Sequence, residues 1–159
     1  MLMQKIILTL KIIIGTGLGT GFIPFAPATF ASLIIIPLIL VLNSSPIGYL
    51  IMTIAFFFIG VLIADDLEKI WGKDSRKITI DEWTGMLITF FLITLPVTLG
   101  KLIAVLLTGF FLFRFFDIFK LPLIRKAQAI KGGWGVMIDD LLAAVVANLS
   151  LRFLIVIFL

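Results

Sequence analysis

The sequence predicts an all-α protein, a polytopic membrane helix bundle with about five membrane-embedded helices and a further helix at the N-terminus. Hydrophobic residues make up 62% of the 159 residues and charged residues only 14%. Soluble domains are typically about half apolar and about a quarter charged. The apolar residues also form long runs that are separated by short, charge-rich segments. Nothing indicates a second domain, so we expect residues 1–159 to form one membrane-embedded domain.

The first half of the chain predicts one helix at the membrane surface and two helices inside the membrane. A bilayer core takes about 20 apolar residues to cross as a helix. Residues 1–14 are fewer than this and include Lys5 and Lys11, which predicts an interfacial or partly inserted helix. A stretch rich in glycine and proline follows and predicts irregular or re-entrant chain. The segments are 15–28 (irregular), 29–42 and 47–63 (membrane runs), with 43–46 as the turn between the last two.

The second half predicts three more membrane crossings between two polar stretches. A helical hairpin is expected after the first polar stretch, with Gly100 and Lys101 at its turn. The segments are 65–82 (polar), 83–99 and 102–113 (hairpin), 114–140 (polar) and 141–159 (last crossing).

This order of segments places all nine acids and most of the basic residues on one side of the membrane. An excess of Lys and Arg in short loops marks the cytoplasmic side, so we expect the charged side to face the cytoplasm. The basic residues mostly flank apolar runs. The net charge of +4 therefore indicates topology and attraction to anionic lipids, and we expect no nucleic-acid partner.

Two absent residue types limit the chemistry. Without cysteine there is no thiolate nucleophile or thiolate metal site, and without histidine the commonest general base and metal ligand are missing. Any catalysis must rest on carboxylates, hydroxyls, Lys, Arg or a metal held by oxygen atoms.

Two pairs of adjacent acids each open an apolar segment on the charged side. Capping and the helix dipole also favour acids at helix starts, and this is the structural alternative. Two pairs on one side, with no comparable acids opposite, favour a metal site, because hard cations such as Mg²⁺ prefer oxygen ligands. The predicted metal ligands are Asp81, Glu82, Asp139 and Asp140.

The segment FRFFDIFK repeats charge at every third residue, so Arg114, Asp117 and Lys120 share one helical face. Such a face presents two cations to phosphate oxygens around one acid. The alternative is a surface ion pair worth a few tenths of a kcal/mol, but ionisable groups at a membrane edge are expensive unless they have a function. Lys131, just before Gly132 and Gly133, is a further candidate for phosphate contact, with an ordinary turn as the alternative.

Three patterns have structural interpretations. The hydroxyls of Thr29 and Ser32 are either helix caps or phosphate contacts. The glycines of GTGLGTG, residues 15–21, do not fit a nucleotide-binding loop and favour close helix packing. The three tryptophans predict an interfacial aromatic belt. They are Trp71, Trp83 and Trp134.

Four segments together resemble the phosphatidylglycerophosphatase A family of bacterial membrane phosphatases. They are GTGLGTGFIPFAPATFAS, IDEWTGM, FRFFDIFK and IRKAQAIKGGWGVMIDDLLAA. The resemblance implies Mg²⁺-dependent hydrolysis of phosphatidylglycerol phosphate to phosphatidylglycerol and inorganic phosphate, in phospholipid biosynthesis at the bacterial inner membrane. A homo-oligomer is compatible with the sequence.

These observations combine into one site hypothesis. The two acid pairs would hold one or two Mg²⁺ ions, and the metal would polarise the phosphoryl group. Arg114, Lys120 and Lys131 would bind the phosphate. Asp117 would orient the water, act as a base or be the nucleophile, and the sequence leaves these roles open. We regard Asp81, Asp117 and Asp140 as the catalytic residues.

Other functions have weaker sequence support. Phosphatases that use histidine, cysteine or a D-x-D motif after a strand are disfavoured, because the residues they need are absent. The D-G-x-x-A-R signature of the CDP-alcohol phosphotransferases is also absent. A small ion-coupled transporter or metal channel with the same acids remains the main alternative. Its pathway would need ionisable groups at membrane depth or at both mouths, whereas these groups cluster at one face.

Overall fold

The computed structural model describes residues 1–73, 75–120 and 130–158, and all regular structure within them is helical. This confirms the predicted all-α class. The helices are α1 (Leu2–Gly15), a short 3-10 turn (Thr20–Phe22), α2 (Pro27–Ile34), α3 (Ile36–Leu42), α4 (Pro46–Trp71), α5 (Ile80–Phe90), α6 (Leu99–Ile118) and α7 (Gly133–Phe158).

Three of the helices described, α4, α6 and α7, are long and apolar enough to cross a membrane. They contain 26, 20 and 26 residues. The stretch Pro27–Leu42 is shorter, and α5 has only 11 residues. The protein is therefore a membrane protein with three candidate spanning helices, and the predicted count of about five membrane-embedded helices is not confirmed.

Helix α4 continues beyond the predicted end of its apolar run at residue 63. Asp65 and Lys69 form an ion pair of 2.7 Å one helical turn apart, a spacing that supports helical structure. Gly72, with φ of +88°, ends the helix. Lys11 of α1 also pairs with Asp66 of α4 at 2.5 Å, so charged residues connect α1 to the end of α4.

The predicted hairpin of residues 83–99 and 102–113 is wrong, because α5 stops at Phe90. Residues 91–98 are irregular, and α6 starts at Leu99, so the expected turn at Gly100 and Lys101 lies inside its first helical turn. Pro96 has no N–H to donate and Leu92 has a φ of +54°, which breaks the helical path. Helix α5 is therefore too short to span the membrane alone.

The prediction that Asp139 and Asp140 open a helix is also wrong. Helix α7 begins at Gly133, so the acids lie well within it. At Gly133 the chain contacts the Val61 backbone so closely that a Cβ atom would collide with it. The additional helical turns are held by this contact with α4, which hydropathy alone does not reveal. As a result, both acids are buried inside the protein.

Helix α5 lies at the centre of the bundle and packs against α4, α6 and α7. Gly85 allows the ring of Phe113 to approach closely. Trp83 is only 7% exposed and contacts Phe56, so the expectation that it is an interfacial anchor is wrong. Trp134, at 47% exposed, fits that expectation. The central position of α5 places its first turn among the other helix ends.

The glycine-rich segment 15–21 packs closely at three of its glycines. A Cβ atom at Gly17 would lie 2.8 Å from the hydroxyl oxygens of Thr20 and Thr79. A side chain at Gly15 would collide with Leu67 of α4, and one at Gly21 would collide with the Lys77 backbone, whereas nothing lies within 4 Å at Gly19. The N–H of Thr79 donates to the carbonyl of Gly15 at 2.9 Å. The segment thereby fixes the chain that leads into α5.

Candidate active site

Three helices bring the predicted ionisable residues together. Asp81 and Glu82 lie in the first turn of α5. Arg114 and Asp117 lie in the last turns of α6, Lys120 follows two residues after this helix ends at Ile118, and α7 supplies the second acid pair. Glu82, Asp139 and Asp140 are each at most 5% exposed. The residues in this acid cluster are Asp81, Glu82, Arg114, Asp117, Lys120, Asp139 and Asp140.

Both carboxylate oxygens of Glu82 have hydrogen-bond partners. Arg114 Nη1 donates to Oε1, and Ser32 Oγ donates to Oε2 at 2.7 Å. Hydrogen bonds to an ionised carboxylate are stronger than those between neutral groups. Ser32 also donates to the Ala28 carbonyl at 3.0 Å. The structure therefore places Ser32 at the site through its contact with Glu82.

Arg114, Asp117 and Lys120 form a continuous series of ion pairs, but the predicted single helical face holds for Arg114 and Asp117 and not for Lys120, which lies beyond the end of α6. Arg114 Nη1 lies 3.0 Å from Asp117 Oδ2, and Lys120 Nζ lies 3.9 Å from Asp117 Oδ1. Lys120 also donates to Asp139 Oδ2. The alternation of acid and base therefore runs from Glu82 to Asp139 and connects α5, α6 and α7.

Asp140 has no ion pair within the described residues, unlike the acids in the series from Glu82 to Asp139. Its Oδ2 atom is buried and has no hydrogen-bond partner among the residues that the structure describes. It interacts electrostatically with Asp81, Asp117 and two further acids of the cluster. Neither Asp81 nor Asp140 forms an ion pair within the described residues. Because a buried charge without a partner is costly, the site favours an additional cation near these two carboxylates.

Asp81 and Asp140 fit the ligand set that Mg²⁺ usually has in enzymes. Mg²⁺ is generally bound by one or two carboxylates together with waters and substrate phosphates. Within residues 1–73, 75–120 and 130–158, no group of three or more acids is placed to hold a metal by itself. Asp81 and Asp140 match the smaller ligand set, whereas Glu82 and Asp139 have cationic partners. The four-acid ligand set stays a prediction.

Burial and charge shift the pKa values at this site. Burial raises the pKa of the Asp81 carboxyl well above its usual range, and the charge of Glu82 adds to the effect. Burial also raises the pKa of Glu82 to about 7, against the lowering effect of Arg114. Burial acts to lower the pKa of Lys120, but its hydrogen bond to Asp139 raises it on balance. A bound cation would favour the ionised carboxylates.

Two predicted site residues are not joined to the acid cluster. Thr29 lies one turn before Ser32 on α2 and is half-buried, and Lys131 is exposed just before α7. In the described part of the chain, no hydrogen bond or ion pair connects either side chain to the acids. Arg125 and Lys126, within one of the segments quoted for the resemblance, lie outside the described residues.

A polar cavity adjoins the cluster at Asp139. Its volume is about 200 Å³, and its walls include Glu68, Lys73 and the glycines Gly132 and Gly135 at the start of α7. Glu68 and Lys73 were not among the predicted site residues, because both lie in a polar stretch whose charge membrane topology already explains. The cavity therefore meets the acid cluster at Asp139.

Comparisons with known proteins identify the family of this chain. A sequence model of the family described as Phosphatidylglycerophosphatase A matches residues 13–155. The chain is 32% identical to phosphatidylglycerophosphatase A of Escherichia coli, covering 89% of this chain and 81% of that protein. It is 34% identical to the Haemophilus influenzae protein of the same name, covering 85% and 82%.

Another relative has a different name. The chain is 41% identical to a Bacteroides thetaiotaomicron protein named "Putative phosphatidylinositol-3-phosphatase", covering 86% of this chain and 87% of that protein. No solved structure matches the chain. The family match covers α4, α6, all but the last three residues of α7, and every residue of the acid cluster. The chain therefore belongs to the phosphatidylglycerophosphatase A family and is a phosphatase.

Proposed function

We propose that this protein hydrolyses the terminal phosphomonoester of phosphatidylglycerol phosphate and releases phosphatidylglycerol and inorganic phosphate, with Mg²⁺ as cofactor. The observation that carries the proposal is the buried Oδ2 atom of Asp140, which has no hydrogen-bond partner among the described residues, beside Asp81 and the Arg114 and Lys120 cations. Carboxylates that bind a metal and cations that bind phosphate oxygens are the groups that phosphoryl transfer requires. Family membership supports the same reaction.

The cations of the acid cluster are suited to the charge of a phosphomonoester. Arg114 and Lys120 each contact carboxylates of the protein, which hold them in fixed positions before substrate binds. Fixed charges of this kind stabilise charge that develops in the transition state, because they need no reorganisation. In the proposed reaction both side chains donate to the phosphate oxygens.

Asp117 lies between these two cations and is 14% exposed. We assign it the role of orienting the attacking water. The water oxygen forms a bond to phosphorus, the bond from phosphorus to the glycerol oxygen breaks, and a proton passes to that oxygen. Mg²⁺ held by Asp81 and Asp140 would neutralise charge on the phosphoryl group.

The proposed orientation places the acid cluster at the cytoplasmic face of the bacterial inner membrane. The loops on the side of the cluster contain most of the Lys and Arg residues, and such an excess marks the cytoplasmic side. A lipid head group lies at the same level as this charged end of the helices. The family assignment favours a phosphatase over the transporter or channel considered from the sequence.

A second candidate substrate is a phosphoinositide. It is favoured by the 41% identity to the relative that is named for phosphatidylinositol 3-phosphate hydrolysis. Both substrates carry a phosphomonoester on a polyol head group, so the acid cluster would act on either in the same way.

Phosphate release by the purified protein in mixed micelles tests the proposal. The substrates are phosphatidylglycerol phosphate, phosphatidylinositol 3-phosphate, phosphatidic acid and a soluble phosphate ester, each with Mg²⁺ or with chelator. We expect the highest kcat/KM for phosphatidylglycerol phosphate and loss of activity with chelator. A higher value for phosphatidylinositol 3-phosphate would assign the second candidate. Equal rates on all four substrates that resist chelator would contradict both.

A further inference from the structure

Two polar side chains of α7 hold the end of α5 that lies away from the acid cluster. We call Asn148 and Arg152 the α5 clasp. Arg152 Nε donates to Asn148 Oδ1 at 2.9 Å, which fixes the two side chains relative to each other. The clasp donates to four backbone carbonyls: Asn148 Nδ2 to Ile88 (3.2 Å), Thr89 (2.9 Å) and Phe91 (3.1 Å), and Arg152 Nη2 to Phe91 (2.8 Å) and Leu92 (3.1 Å).

The clasp provides hydrogen-bond donors for backbone carbonyls at the end of α5, a short helix that ends inside the bundle. The last four carbonyls of any helix have no partner within the helix. In a membrane, water does not supply the missing donors, so irregular backbone must be satisfied by protein. Phe90 and Ile93 are at most 5% exposed, so this helix end is inside the bundle. Tyr49 Oη donates to the Leu87 carbonyl and the N–H of Ile93 donates to that of Phe90. Asn148 supplies donors to Ile88 and Thr89, and Arg152 supplies donors to the irregular residues that follow the helix.

The clasp and the acids have the same spacing on two parallel helices. Both α5 and α7 start on the charged side of the molecule. Asp81 and Thr89 are eight residues apart on α5, and Asp140 and Asn148 are eight residues apart on α7. With a rise of 1.5 Å per residue, each separation is about 12 Å. A contact that fixes one end of α5 therefore fixes the acids at the other end.

Between the acids and the clasp, the α7 residues that face α5 have small side chains. Ala143, Ala144 and Ala147 are fully buried, in the same core cluster as Met86 and Phe90 of α5. Small residues let helix backbones approach closely, but they offer few side chains that would oppose sliding along the helix axis. Directional hydrogen bonds at the clasp provide that opposition.

We propose that the α5 clasp sets the register of α5 on α7, and thereby positions Asp81 and Glu82 relative to Asp139 and Asp140. Asn148 and Arg152 are then positioning residues for the reaction, although they lie far from the phosphate. This inference rests on the proposed function. A slip of one residue would move the acids by about 1.5 Å, and a misplacement of about 1 Å can lower a rate by roughly 10²-fold.

Kinetics of clasp variants test the proposal. In Arg152→Ala and Asn148→Leu we expect kcat for phosphatidylglycerol phosphate to fall by about 10²-fold, with a smaller change in KM. The matched control is Ser150→Ala, because in the described part of the chain the Ser150 hydroxyl bonds only to the Val146 carbonyl within α7. We expect wild-type kinetics from this control. Added guanidinium ion should restore kcat in Arg152→Ala, and the same concentration of sodium chloride should not.

The outcomes separate the clasp from a general effect on folding. An unchanged kcat in both clasp variants, or a loss that guanidinium does not reverse in a variant that melts like wild type, would contradict the register role. An inactive wild-type protein would overturn the proposed function instead. In that case, amide hydrogen exchange of residues 80–85 tests whether the clasp positions the start of α5. Faster exchange in Arg152→Ala than in Ser150→Ala supports the role, and equal exchange contradicts it.

Discussion

Replacement of Asp140 by Asn will reduce phosphate release by about 10³-fold, and it will not destabilise the protein. The substitution keeps the size of the side chain and removes the charge that the proposed Mg²⁺ ion requires. Loss of a single group that stabilises charge in the transition state typically costs about 10²–10³-fold in rate. The Oδ2 atom of Asp140 has no hydrogen-bond partner within the described residues, so the amide loses none there.

A comparison of activity and melting temperature checks this prediction. We expect the melting temperature of Asp140→Asn to equal or exceed that of wild type, since a buried charge without a partner is removed. The control is Asp66→Asn, because Asp66 lies on the same side of the protein in exposed ion pairs with Lys11 and Lys69. It should keep activity within a few-fold. Wild-type rates from Asp140→Asn would remove Asp140 from the site.

Replacement of Arg114 by Met will reduce both activity and stability. Arg114 is 14% exposed and contacts both Glu82 and Asp117. Its removal leaves Glu82 without its cation and leaves Asp117 with the longer contact to Lys120 at 3.9 Å. Removal of one partner of a buried ion pair typically costs about 3–5 kcal/mol, and the partial exposure here places the effect toward the lower end. We expect activity to fall by about 10²–10³-fold, because the phosphate loses a fixed cation.

Double substitution separates the two effects of Arg114. Replacing Glu82 by Gln as well as Arg114 by Met removes both charges of the pair, so stability should return toward that of wild type while activity stays low. Arg114→Lys keeps the charge but not the planar, forked arrangement of donors, and should retain intermediate activity. If the double variant regained activity together with stability, Arg114 would be a structural residue only.

The residues of the acid cluster could be predicted from the sequence, because charged residues are few in a chain that is mostly apolar. In a membrane protein each ionisable group is costly, so acids and bases at spacings such as those of Arg114, Asp117 and Lys120 are informative without any structure. The structure brings the seven ionisable residues of the cluster together and adds Ser32 through Glu82. Lys131 and Thr29 were predicted on weaker patterns, and neither side chain contacts the acids.

The helix boundaries were less predictable, for physical reasons that involve contacts distant in sequence. Hydropathy indicates which residues lie in the hydrocarbon core of the membrane. It does not reveal that Gly133 packs on the Val61 backbone, or that α7 begins there, before the predicted crossing at residues 141–159. Nor does it reveal that α5 ends at Phe90, because its end is stabilised by residues about 60 positions away. An Asn and an Arg four residues apart in the last apolar run were the available signal for the clasp.

Binding of Mn²⁺ as a substitute for Mg²⁺ tests most directly whether the acid cluster holds a catalytic metal. Electron paramagnetic resonance of the purified protein with inorganic phosphate should show a saturable Mn²⁺ site from which Mg²⁺ displaces the ion. Asp81→Asn and Asp140→Asn should lose this site, and Asp66→Asn should keep it. Undiminished Mn²⁺ binding in both cluster variants, or no saturable binding in the wild type, would contradict a metal site at Asp81 and Asp140.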